Sequence, residues 1–404
     1  MTSCRCCNSS SLQQLIDLGR LPIAHHLLKS RDEIFEVFPL SLHVCDDCGL
    51  VQVTDPIDPE VLYRGYNFNF SSWKPEPQFP DEVNTIMLDA KPEAVLEVGA
   101  NDGRFLNALR EQGLKTGVGI EPNSISGKMC AERGFPVYSE MLTKNLAAEI
   151  VKEHGNFDVF IARQVVEHLL DLDDFLTCAE ISLKPDGAVF ISVPDVQAQL
   201  ERGDLSMFWE EHVNYFTRPV LIDLLRRRGF DPISIKTYDF SGGCLSVLAR
   251  RGVPRREKPE RPAAIVTTAK EWPGRVKEFG ARMEAALKKL RAKNYDVVMY
   301  GAGVRACPWV NILGFRPLLD AALDDQKERQ GLFLPYSLLP IVDPGSVAES
   351  DRPLICLLAV NNESEEGVIA RFSGIVRRPV TYATLCAPKD IWADLARIEK
   401  LAAA

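Results

Sequence analysis

Between Lys91 and Pro194 four short β-branched runs, AVLEV, TGVGIE, DVFIA and AVFISV, alternate with segments of helical periodicity. No other feature restricts the fold as strongly. Strands that alternate with helices close into a parallel sheet with the helices packed over it, so this block is expected to be an α/β domain. Its first run leads through Glu97 into a turn, Gly99-Ala100-Asn101-Asp102-Gly103, and then into the helical RFLNAL. Glycine lets backbone approach a ligand closely, and the helix N-terminus behind it offers free N–H groups. Eighteen residues after Gly103 the second run ends in Glu121, a position from which a carboxylate accepts hydrogen bonds from ribose hydroxyls. The turn lacks the GxGxxG spacing of dinucleotide sites; a purely structural turn is the alternative. The third run breaks into Arg163-Gln164 at its carboxyl end, the edge where doubly wound sheets bind ligands, and Gln164 is a candidate to face that ligand. His168, on the helix that follows, reads as a structural histidine.

Four of the eleven cysteines form two CxxC pairs, Cys4/Cys7 and Cys45/Cys48, the second within SLHVCDDCGLVQV. Each pair bends into a turn that aims two sulfurs at one centre, and two pairs complete a tetrahedral thiolate site for Zn²⁺. Cys6 leaves a CxC arrangement open in place of Cys7. With four thiolates, no histidine ligand and no open coordination position is evident, which points to a structural ion. The long segment between the pairs requires its own order, for which FPLSLHV is the candidate strand.

At 404 residues the chain exceeds one ordinary core. Residues 1–70 read as the metal module and 71–250 as the α/β domain. RRGVPRREKPERP, over 250–262, reads as an exposed linker. Residues 263–404 form a smaller α/β domain with strands in DVVMY, LLDAALD and LICLLAV and a GAGVRA loop. At its start Trp272, Val276, Phe279, Met283, Leu287 and Leu290 give a long helix one apolar face, expected to pack on its own domain because the pattern is too short for a coiled coil. Net charge −9 argues against a nucleic-acid partner. The opening MTSCRCCNSS lacks the basic and apolar regions of a signal peptide and no run is long enough to span a membrane, so a cytoplasmic protein without membrane contact is expected, as a monomer or weak homodimer.

Taken in order, CDDCGLVQV, EVGANDG, GIEPN, ARQVVEHLLDLDDF, EEHVNYFT, SGGCLSV, GAGVRA and DDQKERQGLFLPYSLLPI resemble the sugar-nucleotide C-methyltransferases, of the type acting at C-3 of dTDP-sugars. The resemblance runs over nearly the whole chain. It implies an N-terminal zinc-binding module, a central class I methyltransferase Rossmann-like sheet, and a second Rossmann-like domain at the C-terminus that helps hold the sugar nucleotide. It also implies that Glu97, Gly99, Asn101, Asp102, Gly103 and Glu121 form the S-adenosylmethionine pocket, and that a carbon next to a ketone is methylated after loss of its proton.

PDVQAQLERGDLSMFWEEHVNYFT lies between AVFISV and RPVLIDLLRRRGF and is too long for a tight connection. A C–H next to a ketone attacks only as its enolate, so a base is needed. His212 suits that work, with Glu211 or Glu210 as the carboxylate that orients it. The bare EEH could be a solvated turn, but its match to the family's Glu-His-x-x-Tyr-Phe pattern favours function. Tyr215 is a candidate to hydrogen-bond the enolate oxygen or the sugar, and Asn214 a weaker one; a core aromatic is the alternative for Tyr215. Two departures stand out. Trp209 occupies the position of an expected tyrosine and cannot act as a phenol acid or base. GAGVRACPW carries Arg305, Pro308 and Trp309 where the family has small residues and a lysine, which predicts an atypical substrate. O- or N-methylation of a related sugar is the nearest alternative, and a non-catalytic zinc-containing scaffold is the alternative outside enzymology. A nicotinamide site at Gly301-Ala302-Gly303 is disfavoured, since the third glycine is missing.

Overall fold

The computed structural model describes residues 3–62, 76–254 and 262–404. The expected boundary near residue 70 and residues 255–261 of the expected linker lie outside them.

The N-terminal module is built on β1 (Leu12–Leu21), β2 (Phe38–Cys45) and β3 (Val51–Val53), paired antiparallel in that order. FPLSLHV is thus a strand, and it delivers Cys45 to the metal cluster.

The central sheet comprises β4 (Ala94–Val98), β5 (Thr116–Ile120), β6 (Val137–Tyr138), β7 (Phe157–Arg163) and β8 (Leu183–Pro194), all parallel. The chain then makes β9 (Asn214–Tyr215), β10 (Phe230–Tyr238) and β11 (Cys244–Arg251). The last two extend the sheet antiparallel to the order β10-β11-β8-β7-β4-β5-β6. The sheet is therefore mixed rather than wholly parallel, because only the first five strands are joined by helical crossovers. Alternate strand residues feed opposite faces: Leu96, Val118 and Phe160 pack with Leu146, Phe175 and Leu224, whereas Val95, Val159 and Ile161 pack with Phe105, Leu109 and Ile86. That is the period-2 pattern of a sheet covered on both sides.

Strand β9 does not join this sheet. It pairs with β3 through Val51↔Tyr215 and Gln52↔Asn214, so the segment after β8 supplies the fourth strand of the N-terminal sheet.

The C-terminal domain holds β12 (Asp296–Tyr300), β13 (Ala321–Leu323), β14 (Ile341–Val342), β15 (Leu354–Leu358) and β16 (Val380–Thr384). All pairs are parallel, in the order β14-β13-β12-β15-β16. This 3-2-1-4-5 order is Rossmann-like. Its leading helix, Pro262–Ala292, buries Trp272, Val276, Phe279, Met283, Leu287 and Leu290 at 2% exposure or less. Full burial of such a side chain contributes about 1.5–3 kcal/mol. These residues share one core with Leu42 and Val53 of the N-terminal sheet, Phe208 and Tyr215 of the segment after β8, and Trp309 of the C-terminal domain. The helix is thus core for three parts of the chain. Among the described residues no helix is long and apolar enough to cross a membrane.

Candidate active site and metal centre

Each CxxC closes as a hydrogen-bonded turn. Asn8 N donates to Cys4 O (2.8 Å) and Gly49 N to Cys45 O (2.9 Å), with Asn8 at φ 61° and Gly49 at φ 80°. The turns bring Cys4 Sγ to 3.4 Å from Cys48 Sγ and Cys7 Sγ to 3.5 Å from Cys45 Sγ, and all four sulfurs lie within 4.8 Å of one another. Sulfurs at 2.3 Å from a tetrahedral Zn²⁺ are separated by about 3.8 Å, so the donor set fits that ion. Cys7, not Cys6, completes the set. Bound there, zinc supplies a cross-link between the N-terminus and β2.

At the carboxyl end of β4 the backbone turns through Gly99 (φ 71°), Asn101 (φ 49°) and Gly103 (φ 75°). A Cβ at Gly99 would stand 2.6 Å from Val165 Cγ2, and one at Gly103 2.6 Å from Cys130 Sγ. Both glycines are therefore required by close approach as well as by conformation. Glu121 accepts from Asn101 N and Asn123 N, each at 2.8 Å, tying the turn to the end of β5; its carboxylate is raised by burial. Glu97 is 2% exposed, and its Oε2 has no partner among the described residues. Burial raises its pKa to about 8, against the opposing charge of Arg163.

Two expected pocket residues are engaged elsewhere. Asp102 pairs with Arg133 (3.1 Å), whose Nε also donates to Asp102 O at 2.6 Å, so it locks the turn to the helix Ser124–Glu132. Gln164, held at φ 53°, directs its amide to Cys244 Sγ at 3.7 Å, toward β11 and away from the β4 turn.

Sequence reasoning missed the ionic cluster beside this edge. Arg163 donates to Glu82 (2.8 Å) and Glu76 (2.5 Å), and Arg104 also reaches Glu76. Glu82 Oε1 accepts in turn from Ser192 Oγ (2.9 Å) and Ser246 Oγ (2.6 Å). The polar break after DVFIA is its only sequence signal, because Glu76 and Glu82 precede the domain's first strand.

In the segment after β8, His212 is 7% exposed and its Nδ1 has no partner among the described residues. Burial, followed by the charges of His168 and Arg305, holds its pKa well below 6.5, so the imidazole is neutral at neutral pH. Neither expected carboxylate orients it. Glu210 accepts from Ala24 N at 2.6 Å and burial raises its pKa to about 8. Glu211 pairs with His25 Nδ1. The reason is packing: the loop that carries Ala24 and His25 presents donors to both side chains.

The titratable side chains clustered with His212 come from the helical turn Val166–His168. Side-chain atoms of Glu167, His168 and His212 lie within 4.8 Å of one another. His168 Nδ1 donates to Glu211 O at 2.9 Å, and its ring stands edge-on to His212 with centroids 5.0 Å apart. Glu167 is buried, which raises its carboxyl to about 7. Tyr215 is 2% exposed, donates its hydroxyl to Trp209 O at 3.1 Å and packs on Phe208. This is the core-aromatic arrangement rather than a hydroxyl offered to a ligand. Asn214 donates to Val166 O (3.2 Å) and Leu169 O (2.7 Å), stitching β9 to the same helical turn.

The C-terminal domain closes on this segment. Arg305 donates to Ser206 Oγ (3.4 Å), Ser241 Oγ (2.8 Å) and Asn361 Oδ1 (2.8 Å), and Asp324 accepts from Ala302 N (3.0 Å).

Comparison with known proteins places these parts in one architecture. Residues 4–63 match a family model described as "Putative zinc binding domain", 74–235 one described as "Methyltransferase domain", and 242–378 one described as "C-methyltransferase C-terminal domain". The chain is 26% identical to C-methyltransferase NovU of Streptomyces niveus over 382 residues, 90% of each protein. It is 34% identical to the mitochondrial ubiquinone biosynthesis O-methyltransferase of Homo sapiens over 103 residues, 24% of this chain and 28% of that one. Among solved structures it is similar to the Burkholderia thailandensis 1,6-didemethyltoxoflavin-N1-methyltransferase, with 18% identity, TM-score 0.38, and coverage of 50% of this chain and 95% of that one. With a zinc-binding, a methyltransferase and a C-methyltransferase C-terminal model matched in order and a C-methyltransferase relative aligned along nine-tenths of its length, the chain is an S-adenosylmethionine-dependent methyltransferase that is similar along its length to C-methyltransferases with an N-terminal zinc-binding domain.

Proposed function

We propose that the enzyme methylates a carbon next to the ketone of a nucleotide-linked keto-deoxysugar, and that His212 removes the proton from that carbon. The observation that carries this reading is a buried, neutral imidazole with an unpartnered nitrogen, at the carboxyl edge of the sheet that bears the β4 turn. A neutral imidazole is the form able to take a proton. Its low intrinsic basicity is offset as the enolate forms, because the new negative charge favours the imidazolium beside it. S-adenosylmethionine, when bound, supplies the electrophilic methyl. The enolate carbon forms the new C–C bond as the methyl–sulfur bond breaks, and the proton remains on His212 until solvent removes it.

The other residues hold this arrangement. Glu97, Gly99, Asn101, Gly103 and Glu121 shape the cofactor edge, with Asp102 bracing the turn from behind. Glu211, paired with His25, and Tyr215, bonded to Trp209 O, fix the backbone on both sides of His212. The Rossmann-like order of the C-terminal sheet and the Arg305 bridge to Ser206 support a nucleotide held against this segment. The test is incubation of keto-sugar nucleotides with methyl-labelled S-adenosylmethionine and location of the label by carbon NMR. Label on a carbon next to the carbonyl supports the reading; label on oxygen or nitrogen overturns it.

A further inference from the structure

Arg5 stands between two of the metal-binding cysteines, Cys4 and Cys7, yet its side chain leaves the cysteine cluster. Its Nη2 donates to Val53 O at 2.8 Å and its Nη1 to Val213 O at 3.1 Å. Its backbone N donates to Gln52 Oε1 at 3.0 Å, and Gln52 Nε2 returns a bond to Ser3 O at 3.2 Å. Val213 directly follows His212. Its carbonyl also accepts from Val53 N at 3.0 Å, and its N–H donates to Glu167 O at 2.9 Å. Val213, the residue beside His212, thus hangs between two supports: the metal module holds its carbonyl oxygen, and the central domain holds its amide nitrogen. A guanidinium presents its donors in a rigid plane, so one arginine bridging two carbonyls fixes β3 and the His212 segment relative to each other.

We propose that Arg5 is a positioning residue for His212, transmitting the geometry of the cysteine-bound metal to the imidazole through the Val213 carbonyl. The proposal rests on reading His212 as the base. With the metal bound, Cys4 and Cys7 fix the backbone on both sides of Arg5, and the guanidinium inherits that rigidity. With the metal removed, the backbone of Arg5 is released and the Val213 carbonyl loses a charge-assisted donor. The metal then governs methyl transfer without touching either substrate. A misplacement on the order of 1 Å at a reacting group can cost about 10²-fold in rate.

The experiment uses the full-length zinc-loaded protein and its Arg5→Met, Arg5→Lys, His212→Asn and Arg5→Met/His212→Asn variants. Four quantities are measured: zinc content, calorimetric affinity for S-adenosylmethionine, turnover of a thymidine diphosphate-linked keto-deoxysugar, and the imidazole NMR signal of His212, assigned by its loss in His212→Asn. Arg5→Met is expected to keep one zinc per chain and wild-type cofactor affinity. It should shift the His212 signal, move its titration back toward 6.5 and lower kcat by about 10²-fold with little change in KM. Arg5→Lys should recover part of that loss. The double variant should be no slower than His212→Asn alone, the non-additivity of residues that act through one another. An unchanged imidazole signal and kcat in zinc-loaded Arg5→Met overturns the proposal. Loss of zinc from both Arg5 variants overturns it too, because Arg5 would then serve only the folding of the module. Wild-type turnover by His212→Asn would instead refute the base assignment, while the imidazole signal in Arg5→Met still reports whether Arg5 positions that ring.

Discussion

The indole of Trp209 lies over the imidazole of His212, with ring centroids 4.1 Å apart and planes inclined by 38°. Trp209 Nε1 is buried without a partner among the described residues, and the carbonyl of the same residue accepts the Tyr215 hydroxyl. The indole therefore acts as a wall that excludes water from the imidazole. Trp209→Phe should keep most of the turnover, since a ring face remains. Trp209→Ala should lower stability by about 3–5 kcal/mol in denaturant titrations, and admit water to His212.

The cysteine cluster predicts one tightly held zinc per chain in protein purified without added metal, measured by elemental analysis. Cys45→Ala/Cys48→Ala should lose it. Because binding free energy at a thiolate site is folding free energy, the variant should also lose the protection of β2 and β3 in hydrogen exchange. A metal-free variant with wild-type exchange would show that the cysteines are simply buried thiols.

Glu97 makes stability depend on pH with a definite sign. Its folded pKa is raised to about 8 from an ordinary 4.5. The native state therefore holds a proton that the unfolded chain has lost, and stability falls as pH rises between those values. Glu97→Gln should lessen this slope in the cofactor-free protein by the share of one carboxyl, leaving the share of Glu167 and Glu210, whose carboxyls burial also raises. A cofactor ammonium placed beside Glu97 would favour the ionised carboxylate, so calorimetry should also show proton release on cofactor binding in the wild type and none in Glu97→Gln.

Glu121 accepts one backbone N–H from the β4 turn, at Asn101, and one from Asn123 just after β5, in addition to its proposed ribose contact. Glu121→Ala should weaken S-adenosylmethionine binding by about one to two decades, the equivalent of charge-assisted hydrogen bonds of roughly 1.5–3 kcal/mol. Wild-type affinity by calorimetry would mean that the ribose sits elsewhere.

What could be read in the sequence was local. The two CxxC pairs, the strand ends at Glu97 and Glu121, and the apolar face from Trp272 to Leu290 each depend on residues a few positions apart, and each is where the spacing puts it. The partners of the segment around His212 depend on tertiary pairing. Glu211 meets His25 across 186 positions and Arg5 reaches Val213 across 208, because β9 abandons its own domain for β3. Adjacency in EEH suggested that Glu210 or Glu211 orients the histidine. In the folded chain the nearby carboxylate is Glu167, brought in by the turn after β7, and Glu210 and Glu211 face the loop that carries Ala24 and His25.

The central claim is that His212 deprotonates a carbon acid. The most direct measurement is hydrogen–deuterium exchange, in heavy water, at the carbon next to the ketone of a bound keto-sugar nucleotide, comparing wild type with His212→Asn. The wild type should catalyse exchange, with an acid limb well below pH 6.5 that follows the depressed imidazole. His212→Asn should slow exchange and methylation together by ~10²–10⁴-fold while binding S-adenosylmethionine normally. Exchange and methylation at wild-type rates in that variant would contradict the account and leave His212 a structural residue.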